Sequence, residues 1–164
     1  YQRLFDKDRN GPFTESPPLL TRWQLDLAKG TAHQQQLDDK AAEFPRIHPG
    51  LEGQAHRFGY VLGLGPSALT PDFDSIIKYD FTKDRSEVHQ FGADKMGAEP
   101  VFVPAEQAES EDQGYLLSYV FDRSSNKSSL EIFNAQDLRS GPVAEIKLPQ
   151  RIPFGFHGSW VPAA

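Results

Sequence analysis

Three short hairpin patterns, each with an aspartate at the end of its first strand, constrain the fold of this chain most strongly. Asp26, Asp80 and Asp122 each follow a strand-like segment that contains aromatic residues, and each precedes a polar turn and a second such segment. The acids are separated by 54 residues (80 minus 26) and then by 42 (122 minus 80). Propeller blades of four short strands recur at intervals of about 40 to 50 residues. The pattern predicts an all-β fold, either a propeller or a sandwich with turns at similar intervals.

The individual strands follow from alternation and from turn residues. Alternating polar and apolar residues predict a strand over residues 19–27, and Gly30 supplies the positive φ of a turn. A polar return strand over residues 31–37 is expected at a sheet edge. The remaining predicted strands are residues 57–64, 75–81, 87–91, 114–122 and 129–134. No segment has the period of a long amphipathic helix, and residues 105–113 are predicted to form an acidic surface loop.

Composition excludes several classes of function. The formal net charge is -6 and the sequence pI is about 5.3, and lysine and arginine do not cluster, which argues against a nucleic-acid-binding surface. Simple solubility accounts for the acidic balance. The absence of cysteine excludes disulfides and thiolate metal sites, and it is compatible with a cytoplasmic location. No apolar run is long enough to span a bilayer, and the first residues lack a signal-peptide pattern.

The strongest candidate for chemistry is His157, which lies between Gly155 and Gly158 in a run of prolines and aromatic residues. No carboxylate or cysteine stands beside it, and such surroundings suit a neutral imidazole, the form that binds a metal ion. A lone histidine on an apolar segment is more often a satisfied core residue than a ligand, so both interpretations stay open here. The nearby aromatic side chains are expected either to build a dry wall around the histidine or to fill the core. They are Phe154, Phe156 and Trp160.

Three stretches resemble the carotenoid cleavage oxygenase family and occur in that family's order. They are residues 42–47, residues 99–104 leading to 111–117, and residues 148–160. The resemblance implies a seven-bladed β-propeller with four-stranded antiparallel blades. Because members of the family are several times longer than this chain, it also implies that residues 19–164 are the C-terminal part of a single propeller domain. Residues 1–18 are then a loop or connecting segment.

The same resemblance implies one non-haem iron(II) held by four histidines, with His157 as the last ligand. Glu43 and Glu99 match glutamates that accept a hydrogen bond from the outer nitrogen of an iron-bound histidine and so fix its tautomer. The matching predicts that both glutamates orient histidines from outside this chain. The alternative for each is a strand-end carboxylate that faces water.

By resemblance, the parent protein is expected to be a dioxygenase that cleaves a conjugated C=C bond of a carotenoid, apocarotenoid or stilbene into two carbonyl products. Its partners would be an apolar conjugated small molecule and dioxygen, and peripheral membrane contact stays open for the full-length protein. Phe154, Phe156 and Trp160 are expected along the substrate tunnel. Some members instead isomerise and hydrolyse an ester, so the motif fixes neither the reaction class nor the alkene.

The rival expectation is a non-catalytic propeller portion that acts as a binding module. One histidine cannot hold catalytic iron, so the 164-residue chain alone is expected to be inactive or to bind metal only weakly. The other histidines fit none of the family's remaining ligand motifs and are predicted to be structural or solvated. They are His33, His48, His56 and His89. Glu111 and Asp112 are predicted to form a strand-entry turn without a catalytic role.

Overall fold

The computed structural model describes residues 17–65 and 72–162. Within these ranges the regular structure consists of β-strands and two short 3-10 turns, Pro49–Leu51 and Leu138–Ser140, so the all-β prediction is confirmed. The strands are β1 (Leu19–Asp26), β2 (Thr31–Arg46), β3 (Phe58–Leu64), β4 (Phe73–Asp80), β5 (Arg85–Gln90), β6 (Lys95–Gly97), β7 (Val101–Pro104), β8 (Gly114–Asp122), β9 (Lys127–Asn134) and β10 (Pro142–Lys147). The connecting segment predicted for residues 1–18 lies outside the described residues, apart from its last two. No helix in the described part of the chain is long and apolar enough to cross a membrane.

The first sheet is an antiparallel meander in chain order, β1-β2-β3-β4-β5. Its longest strand, β2, changes partner along its length. Residues from Thr31 to Ala41 pair with β1, whereas Ala42 to Arg46 pair with β3. The polar first half of β2 therefore lies at an open edge, as predicted. The predicted end at residue 37 is wrong, because the strand continues into the sheet and carries the Glu-Phe-Pro motif with it.

The second sheet has the order β10-β9-β8-β6, and β7 also pairs with β8. Gly97 at the end of β6 lies opposite Val120, and Val101 at the start of β7 lies opposite Leu117. Residues 98–100 thus face only two residues of β8, which is the geometry of a β-bulge. Because the proline at position 100 has no amide hydrogen to give to the ladder, the sequence itself favours a break here.

A second bulge interrupts β2. The register with β3 shifts by one residue between Glu43 and Arg46, so that Phe44 and Pro45 together face one residue of β3. Phe44 has a φ of +55°, which is uncommon for a bulky side chain. Pro45 removes an amide donor from the ladder, as the proline of the other bulge does. The two glutamates singled out by the sequence therefore both lie at bulges.

Apolar side chains fill the space between the two sheets. The buried cluster contains Phe58, Tyr60, Leu62, Ile76, Phe91, Phe102, Leu116, Val120, Phe133, Ala135 and Leu138. A smaller cluster on the other face of the first sheet contains Ala42, Val61, Ile77 and Tyr79. Since successive residues of a strand point to opposite faces, β3 is buried on both sides. This explains why its sequence is a continuous apolar run and does not alternate.

Two acidic residues before β8 join the sheets through polar contacts. The carboxylate of Glu111 accepts hydrogen bonds from the backbone amides of Arg57 and Phe58 at 2.9 and 2.7 Å. Oδ2 of Asp112 accepts a hydrogen bond of 2.7 Å from Nζ of Lys78, a buried lysine of β4. The strand-entry turn predicted for this acidic pair is thus also an inter-sheet clasp, formed by Glu111, Asp112 and Lys78.

The three recurring aspartates close their turns by the same chemistry. Asp26 and Asp80 each accept a hydrogen bond from the backbone amide three residues further on, at 3.0 and 3.2 Å. Asp122 accepts from the amides two and three residues further on, at 2.8 and 3.4 Å. However, Asp80 joins the last two strands of the first sheet, whereas Asp122 joins β8 to β9 in the middle of the second. The spacing of 42 residues therefore reflects turn chemistry and not the period of the sheets.

Candidate metal-ligand site

His157 lies in residues 148–162, which follow β10 without regular secondary structure. Ser128 of β9 holds the start of this segment. Its carbonyl oxygen accepts from the amide of Leu148 at 2.9 Å, and its hydroxyl oxygen accepts from the amide of Ile152 at 3.0 Å. The side chain of His157 is 73% exposed, so individual contacts and not burial determine the orientation of its ring. Those contacts come from the two bulges.

Glu99 is the principal partner of His157. Its side chain is only 4% exposed, and its Oε1 lies 3.1 Å from Nδ1 of His157. Its Oε2 accepts a hydrogen bond of 2.7 Å from the backbone amide of Gly158. The prediction that Glu99 orients a histidine from outside this chain is therefore wrong, because it contacts His157 itself. A proton on Nδ1 satisfies Glu99 and leaves the lone pair of Nε2 for a metal ion.

The bulge at residues 98–100 keeps its backbone bonded while it redirects Glu99. The amide of Ala98 donates to the carbonyl oxygen of Tyr119 at 2.8 Å. The hydroxyl of Ser118, which is buried, donates to the carbonyl oxygen of Ala98 at 2.7 Å. Because a bulge re-aims the side chains around the extra residue, Glu99 can leave the ladder and reach the C-terminal segment.

The bulge in β2 supplies two further contacts to the same place. Nη2 of Arg46 donates to the carbonyl oxygen of Gly158 at 2.7 Å, and Nε of Arg46 lies 3.6 Å from Oε1 of Glu99. The ring of Phe44 meets the imidazole of His157 edge-on, with centroids 5.7 Å apart and planes at 89°. Sequence reasoning missed both contacts, since 112 residues separate Arg46 from Gly158 and no local pattern marks the pair.

Glu43 lies at the β2 bulge but takes no part in this contact. It is half-buried and lies opposite Leu62 in the ladder. Within residues 17–65 and 72–162 its carboxylate has no hydrogen-bond or salt-bridge partner. Of the two glutamates at the bulges, Glu99 is thus paired and Glu43 is without a partner among the described residues, and the orientation of an outside histidine by Glu43 stays a prediction.

The aromatic residues of the C-terminal run are largely exposed. They are Phe154, Phe156 and Trp160, at 61%, 77% and 53%. Phe154 packs against Phe121 of β8, and the guanidinium of Arg151 lies over both rings. Among the ring contacts of the described residues, His157 meets Phe44 and none of these three. The dry wall expected around His157 is therefore not built by them within this chain, and their place along a substrate tunnel stays a prediction.

The remaining histidines lie in other surroundings. Nδ1 of His48 accepts a hydrogen bond from the amide two residues further on, at 3.0 Å, and caps a 3-10 turn. The ring of His89 packs against Phe133 with centroids 4.8 Å apart, and burial lowers the pKa of His89. His33 and His56 are exposed. None of these contacts involves Glu43, Glu99 or the C-terminal segment.

Among the described residues, His157 is the histidine whose ring nitrogen contacts a carboxylate, and it is the candidate metal ligand. Imidazole suits Fe(II), and a carboxylate on the outer nitrogen is the partner that commonly orients a ligating histidine. Nε2 of His157 has no hydrogen-bond partner among the described residues. Across those residues no three histidine, aspartate or glutamate side chains come together as a metal site. The geometry fits one ligand position, and the other ligands would have to come from elsewhere.

Proteins similar to this chain belong to one family or act as oxygenases. The model of the family described as retinal pigment epithelial membrane protein, RPE65, matches residues 2–162. The carotenoid cleavage oxygenase of Mycobacterium tuberculosis (strain CDC 1551 / Oshkosh) is 40% identical over 170 residues, which covers 99% of this chain and 33% of that protein. The isoeugenol monooxygenase of Pseudomonas nitroreducens is 32% identical over 170 residues, with 96% and 36% covered.

A solved structure matches the fold as well. The crystal structure of cobalt-substituted Synechocystis ACO, an apocarotenoid oxygenase, superposes with a TM-score of 0.84 at 31% identity. The superposition covers 90% of this chain and 31% of that one. This chain thus spans about a third of the length of the relatives it matches.

Proposed function

This chain belongs to the RPE65/carotenoid cleavage oxygenase family, and on that premise we propose that it is the C-terminal part of a non-haem iron(II) dioxygenase. The proposed substrates are dioxygen and an apolar conjugated compound, namely a carotenoid, an apocarotenoid or a stilbene. The reaction cleaves one conjugated C=C bond into two carbonyl products. The names of the relatives, a carotenoid cleavage oxygenase and an isoeugenol monooxygenase, support an oxygenase that acts on compounds of this kind.

The observation that carries this proposal is the contact between Glu99 and His157. A buried carboxylate that accepts from Nδ1–H fixes the tautomer and the direction of the ring, and it increases the basicity of Nε2. The solved relative described as cobalt-substituted supports a metal ion at this site, since that protein accepts cobalt in place of another metal.

Each residue of this chain then has a defined role. Iron(II), when bound, would supply the activation of dioxygen beside the alkene. His157 offers the lone pair of Nε2, while Glu99 holds the proton on Nδ1. Glu43 accepts a hydrogen bond from the outer nitrogen of an iron-bound histidine that comes from outside this chain, as Glu99 does for His157. Phe154, Phe156 and Trp160 present apolar surface that a polyene or a stilbene can pack against once the rest of the protein covers it.

The two sheets are, in this proposal, neighbouring blades of a seven-bladed propeller to which residues 19–164 belong. From Ala42 onward, the end of β2 forms a four-stranded antiparallel unit with β3, β4 and β5. If β6 and β7 are counted as one bulged strand, the second sheet also has four strands. Both units are meanders in chain order, as propeller blades are.

A non-catalytic binding module is the less favoured candidate, because the relatives carry the names of oxygenases. The 164-residue chain by itself is expected to be inactive and to hold metal weakly, since one imidazole cannot retain a ferrous ion.

The test is the iron content of the full-length protein, measured for the wild type, His157→Ala and His33→Ala. His33 is an exposed histidine of β2 far from the candidate ligand in sequence, so its variant controls for the loss of an imidazole as such. We expect the wild type and His33→Ala to retain stoichiometric iron and His157→Ala to lose most of it. Equal iron in all three proteins would remove His157 from the ligand set.

A further inference from the structure

Both backbone polar groups of Gly158, the residue after His157, are held by side chains. Its amide donates to Oε2 of Glu99 at 2.7 Å. Its carbonyl oxygen accepts from Nη2 of Arg46 at 2.7 Å. Because residues 148–162 contain no regular secondary structure, no ladder holds Gly158 in place. These two hydrogen bonds therefore hold the backbone of the segment next to His157.

Arg46 also links the two anchors to each other. Its Nε lies 3.6 Å from Oε1 of Glu99, which is the oxygen that faces Nδ1 of His157. This distance is too long for a hydrogen bond but close for an ion pair. Glu99 is almost fully buried, and a buried carboxylate without a countercharge is costly. Arg46 thus supplies both a backbone anchor and the positive charge next to Glu99.

Arginine suits this double task because its guanidinium presents several donors in a fixed planar arrangement. One nitrogen reaches a carbonyl oxygen while another faces a carboxylate, which the single ammonium of lysine does less well. The bulge in β2 places the residue, since Arg46 is where the register with β3 resumes after Phe44 and Pro45. The positive φ of Phe44 is a conformation that persists only where the surroundings enforce it, and such positions cluster at functional sites.

We propose that Arg46 is a positioning residue for His157. It fixes the backbone at Gly158 and holds the carboxylate of Glu99 in place, and through both contacts it keeps Nδ1 of His157 on Glu99 and Nε2 free to bind. Arg46 touches neither substrate nor metal in this role. The role depends on the proposed function of His157 as an iron ligand, and it adds a residue that the Glu–His pair alone does not require.

The experiment uses full-length protein with Arg46→Met, which keeps the aliphatic stem, and Arg46→Lys, which keeps the charge. Arg85→Ala is the matched control, because Arg85 is an exposed arginine of the same sheet that pairs with Asp80 and not with Glu99. The first readout is hydrogen–deuterium exchange of peptides spanning residues 153–162 in metal-free protein. The second is the dissociation constant for Fe(II) from titration of the metal-free protein. The unfolding temperature is recorded for every variant.

We expect Arg46→Met to increase exchange at residues 153–162 and to weaken Fe(II) binding by about 10-fold or more, as loss of a partner outside the ligand shell commonly does. Arg46→Lys should fall between Arg46→Met and the wild type in both readouts. Arg85→Ala should match the wild type in both. A change confined to the unfolding temperature would show a merely structural residue and would overturn the proposal.

His157→Ala, measured beside these variants, distinguishes failure of the Arg46 role from failure of the proposed role of His157 as an iron ligand. If His157→Ala loses iron while Arg46→Met keeps wild-type exchange and affinity, only the role of Arg46 is overturned. If His157→Ala keeps its iron, the proposed function of His157 fails and the positioning role fails with it. Faster exchange in Arg46→Met with unchanged Fe(II) affinity would also overturn the role, because the ligand would then not depend on the anchor.

Discussion

Glu43 and Glu99 hold similar places in two bulged strands but differ in what they contact. Glu99 follows Glu43 by 56 residues (99 minus 43), and each is followed by a proline within two positions. Glu99 is paired with His157 and with the Gly158 amide, whereas the carboxylate of Glu43 has no partner within the described residues. Since a half-buried carboxylate without a partner is unfavourable, a donor for Glu43 should be sought in the rest of the protein.

Glu99→Gln is the most direct test of this residue pair. The carboxylate turns a different oxygen to each donor, Oε1 to Nδ1 of His157 and Oε2 to the amide of Gly158. Glutamine keeps the shape of the side chain but must turn its NH2 group, itself a donor, to one of them. We expect the Fe(II) affinity of the full-length protein to fall by about 10- to 100-fold. The measurement is Fe(II) titration of the metal-free variant.

Glu131→Gln provides the matched control for that variant. Glu131 is equally buried and pairs with Lys95 at 2.8 Å, away from His157. Its substitution should lower the unfolding temperature and leave Fe(II) affinity at the wild-type value. Equal weakening of Fe(II) binding in both variants would mean that general destabilisation, and not the Glu99–His157 contact, accounts for the effect.

At the scale of elements, the three hairpins share one turn geometry in three different sequences. The fourth residue after each recurring aspartate has a positive φ: Gly30 at +63°, Asp84 at +48° and Asn126 at +53°. Glycine takes this conformation without a steric cost, and aspartate and asparagine tolerate it better than most other residues. The turns therefore combine an acid that accepts backbone amides with a left-handed residue that closes the hairpin.

This geometry predicts opposite effects of substitution at equivalent positions. Asn126→Gly should stabilise the protein and Gly30→Ala should destabilise it, each by roughly 1 kcal/mol, because left-handed backbone favours glycine over a residue with a Cβ. A Cβ at Gly30 would meet no atom within 4 Å, so the effect there is one of backbone conformation alone. Unfolding midpoints of the full-length protein in urea measure both changes.

Lys83→Gly is the control for the turn substitutions. Lys83 belongs to the turn of the second hairpin, but its φ is not positive. Glycine there adds freedom to the unfolded chain without relieving any left-handed conformation, so stability should fall slightly. Stabilisation by Lys83→Gly as large as that by Asn126→Gly would contradict the explanation from φ.

At the scale of the whole molecule, the buried lysine of the inter-sheet clasp ties the first sheet to the second. Nζ of Lys78 donates to Oδ2 of Asp112 and to the carbonyl oxygen of Ala135, both at 2.7 Å, and lies 4.6 Å from the centroid of the Phe58 ring. Burial acts to raise the pKa of Asp112, but the hydrogen bond and charge of Lys78, together with hydrogen bonds from Gln136 and Ser110, outweigh it, and the pKa is lowered from its usual 3.8. The packing of the two sheets is therefore coupled to the ionisation of Asp112.

Acid should weaken this coupling in a defined pH range. Because the pKa of Asp112 is lower in the folded than in the unfolded protein, its contribution to stability is complete above the usual value of 3.8 and is lost as the pH falls through the folded value. Lys78→Met leaves the half-buried carboxylate of Asp112 without its countercharge but with its hydrogen bonds from Ser110 and Gln136, which costs about 1–3 kcal/mol at neutral pH. Protonation of Asp112 then removes most of that cost.

The stability difference between wild type and Lys78→Met should therefore shrink as the pH is lowered from 7 to 3. Urea unfolding of both proteins across this range measures it, with Lys83→Met, at an exposed lysine, as the control for the loss of a positive charge. A difference of constant size at every pH would show that Lys78 stabilises the interface without acting on the ionisation of Asp112.

The sequence by itself determined the local structure and the family. Alternation and turn residues predicted most of the strands, because a strand's exposure and a turn's hydrogen bonds depend on residues only a few positions away. The three motifs in order indicated the family that the comparisons then showed. They also marked Glu43, Glu99 and His157, although not which of them meet.

The tertiary structure alone decided the contacts around His157. Glu99 reaches His157 across 58 residues of sequence, and Arg46 reaches Gly158 across 112. Both contacts need the two sheets to stack and the C-terminal segment to return across them. The bulge at residues 98–100 turns Glu99 out of its ladder, and the bulge in β2 places Arg46. Such contacts depend on the relative placement of distant segments, which the local preferences of a single sequence do not specify.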